Sequence, residues 1–261
     1  MFKSSVFLSL LFITFFISCK QIDIENPDTT ESSFKNPQTF NFLPTSTSGK
    51  IYTHDAYSFS YVEEHEQSEW VAYELNDSDF SNRNNFDRPY FNQDPVVDTK
   101  SADWRNYKNS GYNKGHLCPA GDRKKTYDLY KETFLTSNAS PQLYDFNAGI
   151  WNRLEQKTRY WATKNNGIYV ITGGVLKEKL KTIGDENVSV PNYFYKILLT
   201  KDRKKMIGFL VPHYESKKAL YEYIVSVDEI ENLTGIDFFP ELDDVIENEL
   251  EKNVNYKKWS F

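Results

Sequence analysis

The sequence predicts an α+β fold in which a mainly antiparallel central sheet is flanked by helices. Strand-like alternation of apolar and polar residues recurs in distant stretches, such as 57–61 and 193–200. Helical three- and four-residue spacing occurs between these stretches, but strands and helices do not alternate regularly as βαβ units would. Aromatic residues make up 16% of the 261 residues, which is enough to build a sizeable core.

The first 19 residues predict a processing signal. Lys3 is followed by an apolar run over 6–17 that is too short to span a bilayer, and Ser18 precedes Cys19. This ending resembles a bacterial lipobox, which implies a lipid on Cys19. The alternatives are an ordinary cleaved signal peptide or a short buried helix.

Three regions follow from this interpretation. Residues 1–19 are the lipoprotein signal peptide, 20–50 form a flexible tether rich in Asn, Pro, Thr and Ser, and 51–261 form a single domain. We expect an exported protein, lipid-anchored to the bacterial cell envelope on its periplasmic or outer-membrane surface. Because Cys19 is assigned to the anchor, Cys118 has no partner for a disulfide. The possible roles of Cys118 are a small packing thiol, a nucleophile or a metal ligand.

The N-terminal half of the domain reads mostly as strands and loops. Strands are expected over 57–61 and 70–75, a polar turn over 76–84, and a loop over 94–111 anchored by Trp104 and Tyr107. A short strand is expected to end within 112–117.

The C-terminal half contains more helix. Helical spacing is found over 126–133, a short strand is expected over 133–137, and Asn147 opens a long helix that ends at the Asn165-Asn166-Gly167 signal. Further strands are expected over 168–172, 193–200 and 206–211. Helices are expected over 216–223, after Ser226, and over 241–251.

The net charge of −6 conceals an uneven distribution. Between Lys100 and Lys164, twelve Lys and Arg face six Asp and Glu, a local balance of +6. Between Ala219 and Glu251 there are eleven acidic residues and no Lys or Arg. The basic zone can recruit phosphate groups, whereas the acidic run is expected to be a solvated face.

One segment carries residues suited to phosphodiester cleavage. His116 is expected at a strand end, and its ordinary pKa near 6.5 suits a general base. Asn147 offers a neutral oxygen to a hydrated Mg²⁺ ion. Asn147, Trp151, Glu155 and Arg159 follow at four-residue steps, which predicts one helix face.

The same segment resembles the DNA/RNA non-specific endonuclease family of the ββα-metal superfamily. That family's pattern is DRGH, then S-N-x-x-P-Q, then N-x-G-x-W-x-x-L-E, and the matching residues here are Gly115-His116, Ser137-Asn138, Pro141-Gln142, Asn147, Gly149, Trp151 and Leu154-Glu155. The likeness extends over roughly 51–251. It implies a ββα-metal active-site motif within the α+β fold.

The resemblance also implies a role for each matching residue. His116 would be the general base. Asn147 would be the direct ligand of Mg²⁺, or of Mn²⁺ or another divalent cation, and Glu155 would hold metal-bound waters. Asn138 and Gln142 would lie near the substrate, and Arg159 would contact phosphate or Glu155. The family's phosphate-clamping arginine is assigned to Arg88 rather than Arg83.

Two positions depart from the family pattern, since DRGH is written Asn113-Lys114-Gly115-His116 here. Lys114 keeps a positive charge but lacks the forked guanidinium that grips phosphate at two points. Asn113 keeps a hydrogen-bonding shape near the substrate but loses a negative charge. Both substitutions are compatible with a working site.

The predicted function is therefore a magnesium-dependent endonuclease that hydrolyses DNA and RNA without sequence preference and leaves 5′-phosphate ends. Its partners would be nucleic acid, through backbone phosphates, and a membrane, through the lipid at Cys19. One alternative is a catalytically weakened nucleic-acid-binding lipoprotein of the same fold. A second is a thiol-dependent hydrolase built on Cys118 and His116. The histidines His54, His65 and His213 are expected to serve surface or packing roles.

Overall fold

The computed structural model describes residues 40–81, 84–177 and 179–261. The expected signal peptide, Cys19, the tether up to residue 39, and Arg83 lie outside these residues. The strands are β1 (Ile51–Thr53), β2 (Ser58–Val62), β3 (Gln67–Leu75), β4 (Asn113–His116), β5 (Ala139–Gln142), β6 (Ile168–Gly174), β7 (Lys181–Ile183), β8 (Val188–Val190), β9 (Tyr193–Thr200), β10 (Met206–Pro212) and β11 (Ile224–Val225). The α-helices are α1 (Ser78–Ser81), α2 (Tyr127–Glu132), α3 (Tyr144–Phe146), α4 (Asn152–Lys164), α5 (Val227–Thr234) and α6 (Asp244–Glu251).

A seven-stranded sheet organises the domain, in the order β1-β2-β3-β6-β9-β10-β11. Every neighbouring pair in it is antiparallel. The predicted α+β class with a mainly antiparallel central sheet is thus confirmed. Two separate hairpins, β4 with β5 and β7 with β8, lie outside this sheet.

Both faces of the central sheet are covered. Because side chains alternate along a strand, Val71 and Tyr73 of β3 join one apolar cluster and Trp70 and Ala72 join the other. The first cluster includes Trp151, Leu154 and Trp161 from the region of α4. The second includes Ile230 of α5 and Leu250 of α6. The strands buried on both faces therefore read as almost continuous apolar runs.

The domain begins earlier than the expected boundary at residue 51. Phe40, Phe42 and Leu43 pack against the second cluster, and the Trp70 indole donates a hydrogen bond of 2.8 Å to the Thr45 carbonyl. The compact unit extends from Phe40 to Phe261. Residues 40–50 are therefore part of the domain and not tether, because this polar stretch carries just enough aromatic surface to dock.

Three expected elements differ in the structure. The strand expected over 133–137 is a turn and a 3-10 helix (Thr136–Asn138), and the strand follows it as β5. The helix expected over 216–223 is reduced to a 3-10 helix (Leu220–Tyr223). Asn147 does not open a regular α-helix, since a π-helical turn (Asn147–Trp151) precedes α4. In the part of the chain described, no helix is both long and apolar enough to span a membrane.

Candidate active site

The β4–β5 hairpin places His116 at the end of β4, opposite Ala139. In the same register Asn113 faces Gln142 and Gly115 faces Ser140. A Cβ atom at Gly115 would overlap the Gln142 side chain. The glycine before the histidine is therefore required by close packing within the hairpin.

Asn138 fixes the backbone that follows His116. Its amide donates hydrogen bonds of 2.9 Å to the carbonyls of Cys118 and Thr133, and its oxygen accepts one of 2.7 Å from the Cys118 N–H. The side chain has no exposed surface. The expected substrate contact of Asn138 is therefore corrected to a positioning role, because its polar groups are already engaged with the backbone.

Gln142 is also fully buried. Its side-chain oxygen and nitrogen have no hydrogen-bond partner among the described residues. Without exposed surface it cannot touch a substrate directly, which corrects the second expected substrate contact. Its position across from Asn113 makes it part of the support beneath that residue.

The turn that carries Asn147 is kinked at Gly149, whose φ of −97° and ψ of −107° are not helical. The Glu215 carboxylate lies against the kink and accepts a hydrogen bond of 2.8 Å from the Ile150 N–H. A Cβ atom at Gly149 would overlap that carboxylate. The kink also means that Asn147 does not reach Glu155 by regular four-residue steps.

Asn147 is not an N-cap, since it has helical φ and ψ and its N–H donates to the Leu143 carbonyl at 2.9 Å. Its side-chain amide makes no hydrogen bond to another residue within the described ranges. The amide oxygen is thus available as a ligand. Asn147 lines a depression of about 990 Å³ whose walls also include Arg88, Tyr90 and Lys114. We call this depression the cleft.

Several predicted site residues line the cleft together. Arg88, Asn113, Lys114 and Asn147 all contribute to its walls, although they lie far apart in the chain. The pairing of Asn92 with Leu135 brings the segment after Arg88 alongside the turn that precedes β5. The structure therefore brings these four residues together around one space.

The two cations of the cleft carry no neutralising carboxylate. Within the described residues, neither Arg88 nor Lys114 forms an ion pair. The Arg88 guanidinium lies 5.4 Å from the centroid of the Phe134 ring, and the Lys114 ammonium lies 5.7 Å from that of Phe91. Burial and the nearby Arg88 charge lower the pKa of Lys114. An anion entering the cleft would relieve this repulsion.

The imidazole of His116 is held between aromatic rings next to the cleft. Its ring centroid lies 5.1 Å from that of Phe91, which lines the cleft, and 4.9 Å from that of Phe134. Burial and the Arg88 charge lower its pKa to about 3. Its Nε2 atom has no hydrogen-bond partner among the described residues. His116 is therefore a neutral base at pH 7.

Glu155 belongs to a partly buried charge cluster with Arg159, Asp122 and Lys196. Arg159 donates to Asp122 at 2.5 Å and lies 3.6 Å from Glu155. Burial raises the pKa of Glu155 to about 7, against the attraction of Arg159 and Lys196. Of the two contacts expected for Arg159, the structure shows the one with Glu155. None of these four residues lines the cleft itself.

Lys196 was not anticipated from the sequence. It lies on β9 within a run of apolar residues, and its buried ammonium has no hydrogen-bond partner among the residues described. It lies 4.9 Å from the centroid of the Trp151 ring, and burial lowers its pKa to about 8. A lysine on a strand buried on both faces was the signal that could have revealed it.

Exposed aromatic residues at the cleft were also not assigned a role. Tyr90, Tyr144 and Trp104 all line it and are 91%, 68% and 37% exposed. Of the two residues expected to anchor their loop, the buried Tyr107 does so, donating to the Ala139 carbonyl at 3.3 Å, whereas Trp104 is partly exposed. Large aromatic surfaces left in solvent beside a basic cleft are suited to stacking on bases.

Cys118 does not provide a reactive thiolate. Its side chain is fully buried, and burial raises its pKa to about 12. Nucleophilic thiols need a lowered pKa and access to solvent. The structure therefore argues against the thiol-hydrolase alternative and favours a small packing thiol.

The remaining histidines have structural partners. His54 contacts the buried Asp94 carboxylate at 2.7 Å, and His65 contacts the Ser189 hydroxyl at 2.9 Å. His213 accepts a hydrogen bond from the Leu143 N–H at 2.9 Å and contacts the Pro191 carbonyl at 2.9 Å. His213 thereby supports the chain just before α3.

Comparison with known proteins gives a consistent set of relatives. Residues 36–245 match the family described as DNA/RNA non-specific endonuclease. The chain is 33% identical to "Nuclease EXOG, mitochondrial" of Danio rerio over 74% of its own length and 61% of that protein. It is 28% identical to "Nuclease" of a Nostoc species over 93% of its own length and 95% of that protein. The chain therefore spans about three fifths of the mitochondrial relative.

A solved structure with a similar fold is that of EndoG in complex with EndoGI, which concerns the mechanism of EndoG inhibition. The TM-score is 0.68, with 28% sequence identity over 74% of this chain and 86% of the other. The likeness covers most of the domain.

Proposed function

This chain belongs to the DNA/RNA non-specific endonuclease family, and from that premise we propose that it is an endonuclease that hydrolyses phosphodiester bonds in DNA and RNA. Cleavage leaves 5′-phosphate ends. The observation that carries the proposal is the cleft beside the neutral His116. There Arg88 and Lys114, without carboxylate partners among the described residues, surround one space together with Asn147, whose amide makes no hydrogen bond to any of those residues.

The residues around the cleft fit a divalent metal ion, on which this family depends. Asn147 supplies an amide oxygen that accepts no hydrogen bond from the described part of the chain, and oxygen ligands suit Mg²⁺, which keeps most of its waters. The family resemblance assigns those waters to Glu155, which lies beside Arg159 outside the cleft lining and would reach the ion only through them. When bound, the ion supplies charge neutralisation at the phosphate and at the departing oxygen. We propose Mg²⁺ as the native ion.

Different residues of the protein bind the phosphate, accept the proton of the water and position the base. Arg88 and Lys114 bind the phosphate oxygens and orient the phosphorus atom. His116 removes a proton from the attacking water, since burial and Arg88 keep the imidazole neutral and a neutral imidazole has one ring nitrogen free to accept a proton. Asn138 holds the strand end on which His116 lies.

The cleft also accounts for an absence of sequence preference. Arg88 and Lys114 are suited to phosphate, which is the same for every nucleotide. Tyr90, Tyr144 and Trp104 would stack on bases, and stacking tolerates any base because each has a π-face. Sugar identity is not read by either type of contact, so DNA and RNA are both substrates.

The N-terminal residues support a location for this activity. We propose that Cys19 carries a lipid that attaches the nuclease to the bacterial cell envelope, where it degrades extracellular nucleic acid. Since EndoG is inhibited by EndoGI, an inhibitor protein that covers the cleft is a fitting further partner.

The test is a digestion of plasmid DNA and of ribosomal RNA by the full chain with Mg²⁺, repeated with EDTA. Loss of both substrates with Mg²⁺, and their survival in EDTA, is the expected result. A gel-shift assay with EDTA runs in parallel. DNA that stays uncut with Mg²⁺ but is retarded in the gel-shift assay with EDTA would instead identify the weakened nucleic-acid-binding lipoprotein.

A further inference from the structure

A group of carboxylates joins α5 and α6 on the far side of the central sheet from α4. Asp228 and Glu231 are three residues apart on α5, so they share one face of that helix. Glu251 is the last residue of α6. One side-chain oxygen from each of these three residues lies within 4.8 Å of the others.

Two carboxylate oxygens in this region lack the partner that a buried polar atom requires. Glu251 is only 6% exposed, and its Oε1 atom makes no hydrogen bond to a described residue. The Oε1 atom of Glu247, one turn earlier on α6, is likewise buried without a partner. Buried polar atoms of this kind are uncommon in folded proteins unless something binds to them.

Acidic neighbours dominate the electrostatics of this group. The largest charge effects on Glu251 come from Glu231, Glu247, Asp228 and Asp237, all of them acidic. Burial and this mutual repulsion raise the pKa of Glu231 to about 7 and that of Glu251 to about 8. One oxygen of Glu231 is engaged by the Phe238 N–H at 2.9 Å, which leaves the other for a ligand.

We propose that Asp228, Glu231 and Glu251 bind a Ca²⁺ ion that ties α5 to α6. Oxygens that all lie within 4.8 Å of one another can surround one ion, because two ligands on opposite sides of it are about 4.8 Å apart at a Ca–O distance of about 2.4 Å. Ca²⁺ accepts several carboxylates, whereas Mg²⁺ keeps its waters and takes one or two. The buried Oε1 atom of Glu251 makes no hydrogen bond to a described residue that would compete with the ion.

This site is separate from the proposed nuclease centre, since it lies on other elements and shares no residue with the cleft. Its role is structural. The ion would neutralise the acidic residues that meet between α5 and α6 and stabilise the packing of Ile230 and Leu250 in the second apolar cluster.

The test measures thermal unfolding of the metal-stripped full chain with and without CaCl₂. At about 100 times the dissociation constant we expect Tm to rise by roughly 5 °C. Glu231→Gln and Glu251→Gln should each raise Tm in the absence of metal and abolish the Ca²⁺-dependent rise. Glu249→Gln is the matched control, an exposed residue of the same helix, and should retain the rise.

An Asn147→Ala variant separates this site from the nuclease centre. It should lose cleavage and keep the full Ca²⁺-dependent rise in Tm. The proposal is overturned if Ca²⁺ does not change Tm of the unmodified chain, if Glu231→Gln and Glu251→Gln both keep the rise, or if Asn147→Ala removes it. Calorimetric titration of the same proteins with CaCl₂ gives the stoichiometry, which should be one ion at this site.

Discussion

Asn138 illustrates how single buried residues set the geometry of the cleft. It engages the Cys118 N–H, the Cys118 carbonyl and the Thr133 carbonyl at once, and so ties the strand end that carries His116 to the turn after α2. A hydrophobic side chain could fill the same space but would leave these three groups unpaired. Positioning, not contact with the substrate, is the function of this residue.

Replacing Asn138 by Ala should destabilise the protein strongly. Each buried group left without a partner costs roughly 1–3 kcal/mol, so we expect a loss of about 3 kcal/mol or more. Urea unfolding monitored by tryptophan fluorescence measures this. Asn84→Ala is the control, since the exposed Asn84 makes one surface hydrogen bond of 2.9 Å to the Lys125 carbonyl. Equal stability of the two variants would refute the role given to Asn138.

The protonation of His116 provides a second residue-scale prediction. Its pKa is lowered by burial and by Arg88, so in the metal-free protein His116 should stay neutral from pH 8 down to pH 5. Burial also opposes the charge on His54, but the Asp94 carboxylate outweighs it and raises the pKa of His54. In an NMR titration, His54 should titrate above pH 6.5 and His116 should not titrate between pH 5 and 8. A His116 midpoint near 6.5 would contradict the described environment.

At the scale of elements, the kinked turn before α4 is the feature that presents Asn147 to the cleft. The turn depends on Gly149 and on the Glu215 carboxylate, which engages the Ile150 N–H at 2.8 Å. A regular helix through this region would carry Asn147 and Glu155 on one stripe. The kink instead leaves Asn147 at the cleft and Glu155 in the partly buried charge cluster beside Arg159.

Gly149→Ala tests this arrangement. The added methyl group meets the Glu215 carboxylate, so we expect a loss of about 1–3 kcal/mol in stability and a fall in nuclease activity. In a Glu215→Ala background the same substitution should cost less, because the obstructing carboxylate is gone. A double-mutant cycle in urea gives the coupling energy between the two positions. Strict additivity would show that Glu215 does not shape the turn.

The sequence predicts the elements with a clear period and misses those without one. The runs 193–200 and 206–211 coincide with β9 and β10 to within one residue. The three-residue strands β1, β7 and β8 are too short to show a period. The kink at Gly149 is invisible because the apolar spacing of Ile150, Trp151 and Leu154 continues through it. The sequence predicts the strand over 133–137, too early for β5 at 139–142, because the residues of β5 do not alternate between apolar and polar.

At the scale of the whole molecule, opposite charges are separated along the chain. The balance of +6 over 100–164 contains β4, α2 and α4, whereas the acidic run over 219–251 contains α5 and α6. The excess of basic residues over 100–164 can be predicted by counting charged residues in the sequence. Their convergence with Arg88 and the exposed aromatic residues could not, because it depends on pairing between segments far apart in sequence.

Binding of DNA should therefore weaken as salt concentration rises. Each phosphate contact contributes about 0.9 to the slope of log K against log salt for a duplex. Lys114→Gln should reduce that slope by about 1, measured by fluorescence anisotropy in EDTA. Lys201→Gln is the matched control, since Lys201 is already paired with Glu74, and its slope should equal that of the unmodified chain. An unchanged slope for Lys114→Gln would remove this residue from the phosphate site.

The central claim is that His116 is the general base of a phosphodiester hydrolysis in the cleft. The most direct measurement is the single-turnover cleavage rate of His116→Ala at saturating Mg²⁺ and saturating enzyme, alongside its affinity for the same DNA in EDTA. We predict that affinity changes little, while the cleavage rate falls by about 10² to 10⁴. A variant that cleaves within threefold of the unmodified rate would contradict the claim.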